Sequence, residues 1–173
     1  MKKYFNIVIL LSTCILTSQN LKFESASAGL GYFRTIEGSL NYGGISYSFD
    51  LYAKLNKNKI SLRLLSGEDL KILGSSSMSI AELNILYGRN IAISKVFYIE
   101  PFIGLGYYRL KDNVNFIKQD VEKGTIYHKL AFPIQVNIGV QLSKHLDIGI
   151  INSLNINPLI NHYSQNLYLK YKL

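Results

Sequence analysis

The sequence predicts an all-β fold, an eight-stranded antiparallel up-and-down transmembrane β-barrel. Three observations lead to this prediction. Apolar residues recur with a period of two over long segments, which is the side-chain period of a β-strand. Short polar turns alternate along the chain with longer connections. The chain also opens with a segment typical of export signals.

The first residues have the pattern of a secretory signal peptide. The positively charged Met1-Lys2-Lys3 precedes an apolar run over residues 7–16, which is shorter than the roughly 20 residues of a membrane-spanning helix. We therefore predict a signal peptide at residues 1–18 and an outer-membrane barrel at residues 19–173. The single cysteine, Cys14, lies in the predicted signal peptide, so the mature barrel is expected to have no disulfide and no cysteine metal site.

The clearest strand covers residues 130–142. Its even-numbered residues are all apolar, and the odd-numbered residues between them are small or polar. Strands in soluble proteins usually have about five or six residues, whereas a tilted membrane-spanning strand needs about 9–11. Residues 45–55, 97–108 and 167–173 alternate in the same way. Weaker strands complete the predicted set of eight, at residues 21–34, 60–65, 79–91 and 146–154.

Irregularities are predicted within these strands. Leu21 and Phe23 have the opposite parity from Leu30 on the same predicted strand, so a bulge or a flip is expected near its start. Pro101 and Pro133 cannot donate a hydrogen bond to a ladder, so bulges or local gaps in pairing are expected at both.

The connections predict which end of the barrel faces outward. Three are short and polar, at residues 56–59, 92–95 and 143–145. The others are longer, at residues 35–44, 66–78, 111–128 and 155–163. Their alternation places all turns at one end and all loops at the other, as in outer-membrane barrels with periplasmic turns and extracellular loops.

The charged residues of the predicted strands fall on the face opposite to the apolar one. In a membrane barrel the apolar face meets lipid, so these charges point into the lumen, where they must be paired or wet. We predict a structural lumen network of Asp50, Arg63, Glu82, Glu100 and Lys129, in which the two glutamates meet Arg63 or other basic neighbours. A proton or ion path is the alternative interpretation. No catalytic, cofactor-binding or metal-ligating residue is predicted.

Composition limits the partners. The chain has 173 residues, of which 48% are hydrophobic and 17% charged, which argues against a disordered chain. Its 13 Tyr suit a sheet or a membrane interface. The formal net charge is +8, but there is no run of five or more Lys and Arg. We therefore expect no nucleic-acid partner and attribute the excess charge to attraction by an anionic surface.

Two segments resemble small bacterial outer-membrane β-barrel proteins, such as outer membrane protein X and the barrel domain of outer membrane protein A. These segments are Ala28-Gly29-Leu30-Gly31-Tyr32 and Tyr98-Ile99-Glu100-Pro101-Phe102-Ile103-Gly104-Leu105-Gly106-Tyr107. The resemblance implies a monomeric barrel in the bacterial outer membrane, and it implies no single activity. The expected partners are outer-membrane lipid and lipopolysaccharide, the barrel-assembly machinery, and a protein bound by the surface loops. No cofactor is expected.

The leading prediction is thus a structural or surface-interaction barrel with a lumen filled by side chains and no catalytic role. One alternative is a lipid A-modifying outer-membrane hydrolase, because His162 and Ser164 resemble the catalytic pair of outer-membrane lipid A deacylases. No Asp or Glu follows Ser164, where that resemblance places the acid. A second alternative is a soluble exported lipocalin-like barrel, which would put the apolar face inward.

Overall fold

A computed structural model describes residues 21–36, 42–69, 78–112 and 125–173. The predicted signal peptide lies outside the described residues, as do half or more of the residues in three of the four predicted long connections. In the described part of the chain, no helix is long and apolar enough to cross a membrane. The strands are Leu21–Thr35 (β1), Gly43–Leu55 (β2), Asn58–Asp69 (β3), Met78–Arg89 (β4), Ile91–Ala92 (β5), Phe97–Asp112 (β6), Thr125–Gln141 (β7), Leu146–Ile156 (β8) and His162–Lys172 (β9).

The sheet closes on itself. Successive long strands pair antiparallel, β1 pairs with β9, and β4 pairs with β6. The two-residue β5 only extends the pairing of β6 at the turn. The prediction of eight antiparallel strands closed into a barrel is therefore confirmed. In the closed part of the barrel no sheet edge is left open toward hydrocarbon, which could not satisfy it.

The register fixes the stagger of the barrel. Following paired residues once around the circumference leads from position 101 to position 111 on β6, a shear of ten residues. Eight strands with this shear are tilted by about 40° and enclose an interior just wide enough for side chains. The path runs through Pro101, Val136, Asn152, Gln165, Tyr32, Ile45, Glu68, Ser79 and Lys111.

The two faces of the strands are as predicted. On β2, Tyr47 and Phe49 are exposed outward while Asp50 and Tyr52 are buried in the lumen. The same division holds on β6, β7 and β9. The lipocalin-like alternative is wrong, because that class requires the apolar side chains to line the interior.

The predicted irregularities are also present. The pairing of β1 with β2 shifts register between Phe23 and Ser25, which reconciles the two parities of this strand. The β6–β7 ladder is interrupted opposite Pro133. Pro101 falls just beyond Phe102, where the ladder between β4 and β6 ends. Each proline thus lies where a missing N–H leaves a ladder least disturbed.

The predicted boundaries need correction at the loop end. The connection predicted over residues 155–163 is shorter, because β8 ends at Ile156 and β9 begins at His162. Strands β3, β4, β6 and β7 continue into segments predicted as loops. Backbone pairing does not need apolar side chains, so a ladder can extend past the point where the alternation fades. At the opposite end, β2 and β3 are joined at Asn56, whose φ of 57° is left-handed.

Candidate functional site in the lumen

Side chains occupy the lumen along its length. An ion-pair cluster lies at the turn end, an arginine and amide layer lies in the middle, and an acid–imidazole pair followed by an apolar cluster lies at the loop end. The structure places four of the five residues of the predicted network in the lumen, namely Asp50, Arg63, Glu82 and Glu100.

Glu100 is the centre of the turn-end cluster. Lys59 Nζ donates to its Oε1 atom at 2.7 Å, and Lys170 Nζ donates to its Oε2 atom at 2.6 Å. Asn90 adds a bond to Oε1 at 3.0 Å, and Lys59 also pairs with Glu24 at 2.7 Å. The buried carboxylate therefore has a cation on each oxygen, which offsets the desolvation of all three charges.

Tyrosine rings surround the ammonium group of Lys170. Its Nζ atom lies 4.4 Å from the ring centroid of Tyr52 and 5.0 Å from that of Tyr98, within the range of a cation–π contact. The Tyr98 hydroxyl donates to Asp147 Oδ2 at 2.8 Å, and Lys172 pairs with Asp147 at 2.8 Å. The cluster thus continues to the turn-end mouth of the barrel.

Arg63 and two amides form the middle layer. Arg63 Nη1 donates to the side-chain oxygen of Gln135, and Gln135 Nε2 donates to Asn137 Oδ1 at 2.7 Å. Asn137 Nδ2 in turn lies 3.3 Å from Glu100 Oε2. Asp50 lies 4.0 Å from Arg63, so its pairing is looser than that of Glu100. The middle layer is therefore connected to the turn-end cluster by hydrogen bonds.

Glu82 pairs with His162. The Nε2 atom of His162 lies 2.5 Å from Glu82 Oε1, and the amides of Asn84 and Asn155 donate to Oε2 at 2.7 and 2.8 Å. The imidazole stacks on Tyr108 at 5.3 Å between ring centroids. Glu82 and His162 lie on β4 and β9, which do not pair, so this contact crosses the lumen.

Lys129 lies outside this buried set. Its backbone is paired with Tyr108, which faces the lumen, but its side chain is exposed. Strand β7 pairs with β8 only from Phe132 onward, so the residues before it have a paired neighbour on one side alone. This segment extends beyond the closed part of the barrel, which corrects the expectation that Lys129 faces an enclosed lumen.

An apolar cluster fills the lumen at the loop end. It is packed from the ends of several strands and from the connection between β8 and β9. It lies beyond the charged layers, so apolar side chains replace polar ones in this part of the lumen. The buried members are Phe33, Leu65, Met78, Ile80, Tyr108, Leu110, Ala131 and Ile160.

The predicted network did not include four buried ionisable residues of the lumen, Lys59, Asp147, His162 and Lys170. The signal was nevertheless in the sequence. Lys59 has the same parity as Arg63 on its strand, and His162 has the same parity as Asn166 and Lys170. The sequence interpretation treated His162 as part of a polar loop, so its inward direction was missed.

The two residues named for the hydrolase alternative do not face lipid. His162 and Ser164 are both buried in the lumen. An acid does accompany the imidazole, since Glu82 occupies its Nε2 atom, but Nδ1 has no hydrogen-bond partner among the described residues. Ser164 is therefore not bonded to Nδ1, and the arrangement of nucleophile, base and acid is incomplete.

The other two histidines lie outside the lumen. His128 stacks on Tyr107 and His145 stacks on Tyr171. Within the described ranges, no group of three or more His, Cys, Asp or Glu residues is arranged to hold a metal ion.

A closed barrel of eight tilted strands, with apolar side chains outside and a packed polar lumen, has the fold of the small β-barrels of bacterial outer membranes. No family model matches the sequence, and no curated protein matches it. Solved structures do match, and they confirm the resemblance seen in the sequence at the level of fold.

Three of these structures cover nearly the whole described barrel. Neisserial surface protein A has a TM-score of 0.72 at 6% identity, over 87% of this chain and 97% of that one. Ail, the attachment invasion locus protein of Yersinia pestis, has 0.60 at 12% identity, over 88% and 99%. The N-terminal β-barrel domain of Pseudomonas aeruginosa OprF has 0.58 at 10% identity, over 88% and 99%.

Proposed function

We propose that the protein is a non-catalytic barrel of the bacterial outer membrane with a structural or surface-interaction role. The observation that carries this proposal is the packed lumen, in which an apolar cluster at the loop end covers layers of paired charges. These side chains fill the middle and the loop end of the lumen, and a cavity of about 530 Å³ lies at its turn end, on the side opposite to the long connections. We therefore assign the function to the outer wall and to the connections at the loop end.

The outer wall supports the location. Large apolar side chains are exposed on all eight long strands, and an apolar surface of this extent is unfavourable in water. Hydrocarbon is the environment in which it is stable, provided that the sheet is closed, as it is here.

The first test is fractionation of a Gram-negative host that expresses the full chain. We expect the protein in the detergent-extracted outer membrane, with a change in gel mobility on boiling, because a closed barrel stays compact in unheated detergent. Recovery as a soluble periplasmic protein would contradict the proposed location.

The second test asks which end of the barrel is outside. Ile36 is exposed just past β1 at the loop end, and Lys144 is exposed in the turn between β7 and β8. In intact cells, a membrane-impermeant maleimide should label Ile36→Cys and not Lys144→Cys, and both should react after lysis. The parent chain, whose only cysteine is Cys14, is the control. Labelling of Lys144→Cys alone in intact cells would reverse the orientation.

Comparison with similar folds supports a surface role. One is described as a surface protein and another as an attachment invasion locus protein. The fold is thus shared at very low sequence identity, and because a fold does not determine a function, we look for the role in the connections that the barrel carries at the surface.

The hydrolase remains the second candidate, because Glu82 supplies an acid beside His162 that the sequence pattern lacked. The burial of Ser164 argues against it, since a lipid substrate would have to enter the lumen. Lipid A from cells with the parent chain, with Ser164→Ala and with no barrel should have the same mass. Loss of an acyl chain with the parent chain alone would establish the hydrolase instead.

A further inference from the structure

The lumen opens at the turn end into a cavity of about 530 Å³. Its lining includes buried residues of the lumen, among them Lys59, Glu100 and Lys170. It also includes Lys57 in the turn between β2 and β3 and Lys95 in the turn between β5 and β6. The cavity therefore lies inside the wall of the barrel and not on its lipid-facing surface. Its volume is in the range of about 300–1,000 Å³ that is usual for small-molecule sites.

Positive charge dominates the lining of this cavity. Seven cationic side chains and three carboxylates line it, which is an excess of four positive charges. Each carboxylate already has a partner. Glu100 pairs with two lysines of the lumen, and Glu24 pairs with Lys59 at 2.7 Å. Asp147 pairs with Lys172 at 2.8 Å. The carboxylates of the cavity therefore leave the excess charge uncompensated.

Four of the seven cations form no side-chain ion pair within the described part of the chain. All four are exposed, at strand ends or in turns, and they are Lys54, Lys57, Arg89 and Lys95. Lys54 lies directly opposite Lys59 in the register of β2 and β3. Like charges in directly opposite positions destabilise a sheet. An anion in the cavity would offset this repulsion.

A buried hydroxyl adds a second observation at the same cavity. Ser25 is 1% exposed and lines the cavity. Its Oγ atom has no hydrogen-bond partner among the residues that the structure describes. A buried polar group without a partner is costly, and an oxygen atom of a ligand would satisfy this donor. The cavity thus offers an anion both positive charge and a free hydrogen-bond donor.

We propose that the turn-end cavity is a binding site for a small soluble molecule that carries two phosphate groups. A phosphate group carries about −1.5 to −2 charges at pH 7, so two of them match the excess of four positive charges. Lysine binds phosphate as a point charge, without the fixed geometry that arginine imposes.

A soluble ligand suits this site better than a lipid headgroup, because the cavity is lined by residues of the lumen and the headgroups lie outside the wall. The inference goes beyond the proposed function, since it adds a site at the end opposite to the long connections. Only the side of entry, which is the periplasm, rests on the proposed orientation.

Calorimetric titration of purified barrels in phosphatidylcholine nanodiscs tests the site, with inorganic pyrophosphate as the probe. We expect one pyrophosphate to bind per barrel. Inorganic sulfate at the same ionic strength should bind roughly tenfold more weakly or less, because a single anionic group compensates only part of the excess charge. No binding of pyrophosphate, several equivalent sites per barrel, or equal binding of sulfate would overturn the proposal.

Three single variants separate the cavity from the general charge of the turn end. Lys57→Gln and Lys95→Gln should each weaken pyrophosphate binding about tenfold, because each removes a cation from the lining. Lys144→Gln removes the same charge from an exposed turn at the same end, outside the lining, and should change the affinity by less than about twofold. Equal weakening by all three changes would overturn the proposal.

A change of lipid distinguishes the two sources of phosphate. At physiological ionic strength, the parent barrel should bind pyrophosphate equally well in nanodiscs with and without phosphatidic acid, because the bilayer charge is screened. Loss of binding only with phosphatidic acid would assign the cavity to a lipid headgroup and overturn the soluble ligand. Only samples with the boiling-dependent gel shift are titrated. A shifted barrel that binds no pyrophosphate contradicts this inference alone, whereas absence from the outer-membrane fraction contradicts the proposed location alone.

Discussion

The Oε2 atom of Glu100 and the Nζ atom of Lys170 lie 2.6 Å apart, on strands that do not pair with each other. The contact crosses the lumen from β6 to β9, and Lys59 approaches the other carboxylate oxygen from β3. One carboxylate therefore connects three strands through side chains. It also fixes their relative register, because a slip by one residue would turn each group toward lipid.

Replacing Glu100 by Gln should destabilise the barrel strongly. The change leaves the ammonium groups of Lys59 and Lys170 buried beside a neutral amide, and breaking a buried ion pair typically costs about 3–5 kcal/mol. The free energy of unfolding, measured with urea on barrels refolded into lipid vesicles, checks this expectation.

Two further variants make the Glu100 test specific. Lys129→Gln should leave the unfolding free energy close to that of the parent, because this side chain is exposed. Adding Lys170→Met to Glu100→Gln should restore part of the loss, since it removes one unpaired buried charge. A double variant that is less stable than Glu100→Gln would show that Lys170 contributes mainly through its contacts with tyrosine rings.

The position of a residue on the lipid-facing surface predicts how strongly an added charge destabilises the barrel. Leu105 is 61% exposed in the middle of β6, so Leu105→Arg should cost about 2–4 kcal/mol of unfolding free energy near the lipid midplane. Ile126 is 42% exposed near the start of β7, beyond the part that pairs with β8. Ile126→Arg should cost about 0–1 kcal/mol, as expected near the interface. Equal costs for both changes would contradict the assigned membrane position.

The alternation of the sequence predicted the eight long strands, most of their inward and outward faces, and the irregularity near the start of β1. A membrane barrel has lipid on one side of every strand and side chains on the other, and this contrast imposes a strict period of two. At the loop end the contrast weakens, so the ends of β3 and β6 were predicted too short. The chain also departs from the pattern at Ile151 and Asn152, where only the register shows which residue faces inward.

The pairs within the lumen were harder to predict than the faces. Parity indicates that Glu82 points inward, but its partner depends on closure and on the shear. Closure places β9 across the lumen from β4, and the shear sets the height at which their residues meet. The local sequence around Glu82 encodes neither the strand that lies across the lumen nor the height at which the two strands meet. For the same reason Lys59 and His162 were absent from the predicted network although their parity was correct, and Lys129 was included although its strand extends beyond the closed barrel.

The turn between β2 and β3 should be sensitive to the residue at position 56. Asn56 has a φ of 57°, a left-handed conformation that asparagine tolerates and that costs most other residues about 1–2 kcal/mol. Asn56→Val should therefore slow refolding into vesicles and lower the unfolding free energy, whereas Asn56→Gly should match the parent. If the valine variant behaves as the glycine variant does, the turn has enough freedom to change its conformation.

Two glycines on β1 should differ in their tolerance of a methyl group. A Cβ atom at Gly31 would lie 1.8 Å from the backbone oxygen of Gln165, and the paired strands β1 and β9 cannot separate there without breaking their ladder. At Gly29 the nearest atom would be the hydroxyl of Ser48 at 2.6 Å, at the end of a side chain that can rotate away. We expect Gly31→Ala to cost about 1–3 kcal/mol or more, as overpacking does, and Gly29→Ala to cost clearly less. The unfolding midpoint in urea, read from the unheated gel mobility, compares the two variants. A greater loss for Gly29→Ala would mean that the lumen around Ser48 is packed more rigidly than the contact between β1 and β9.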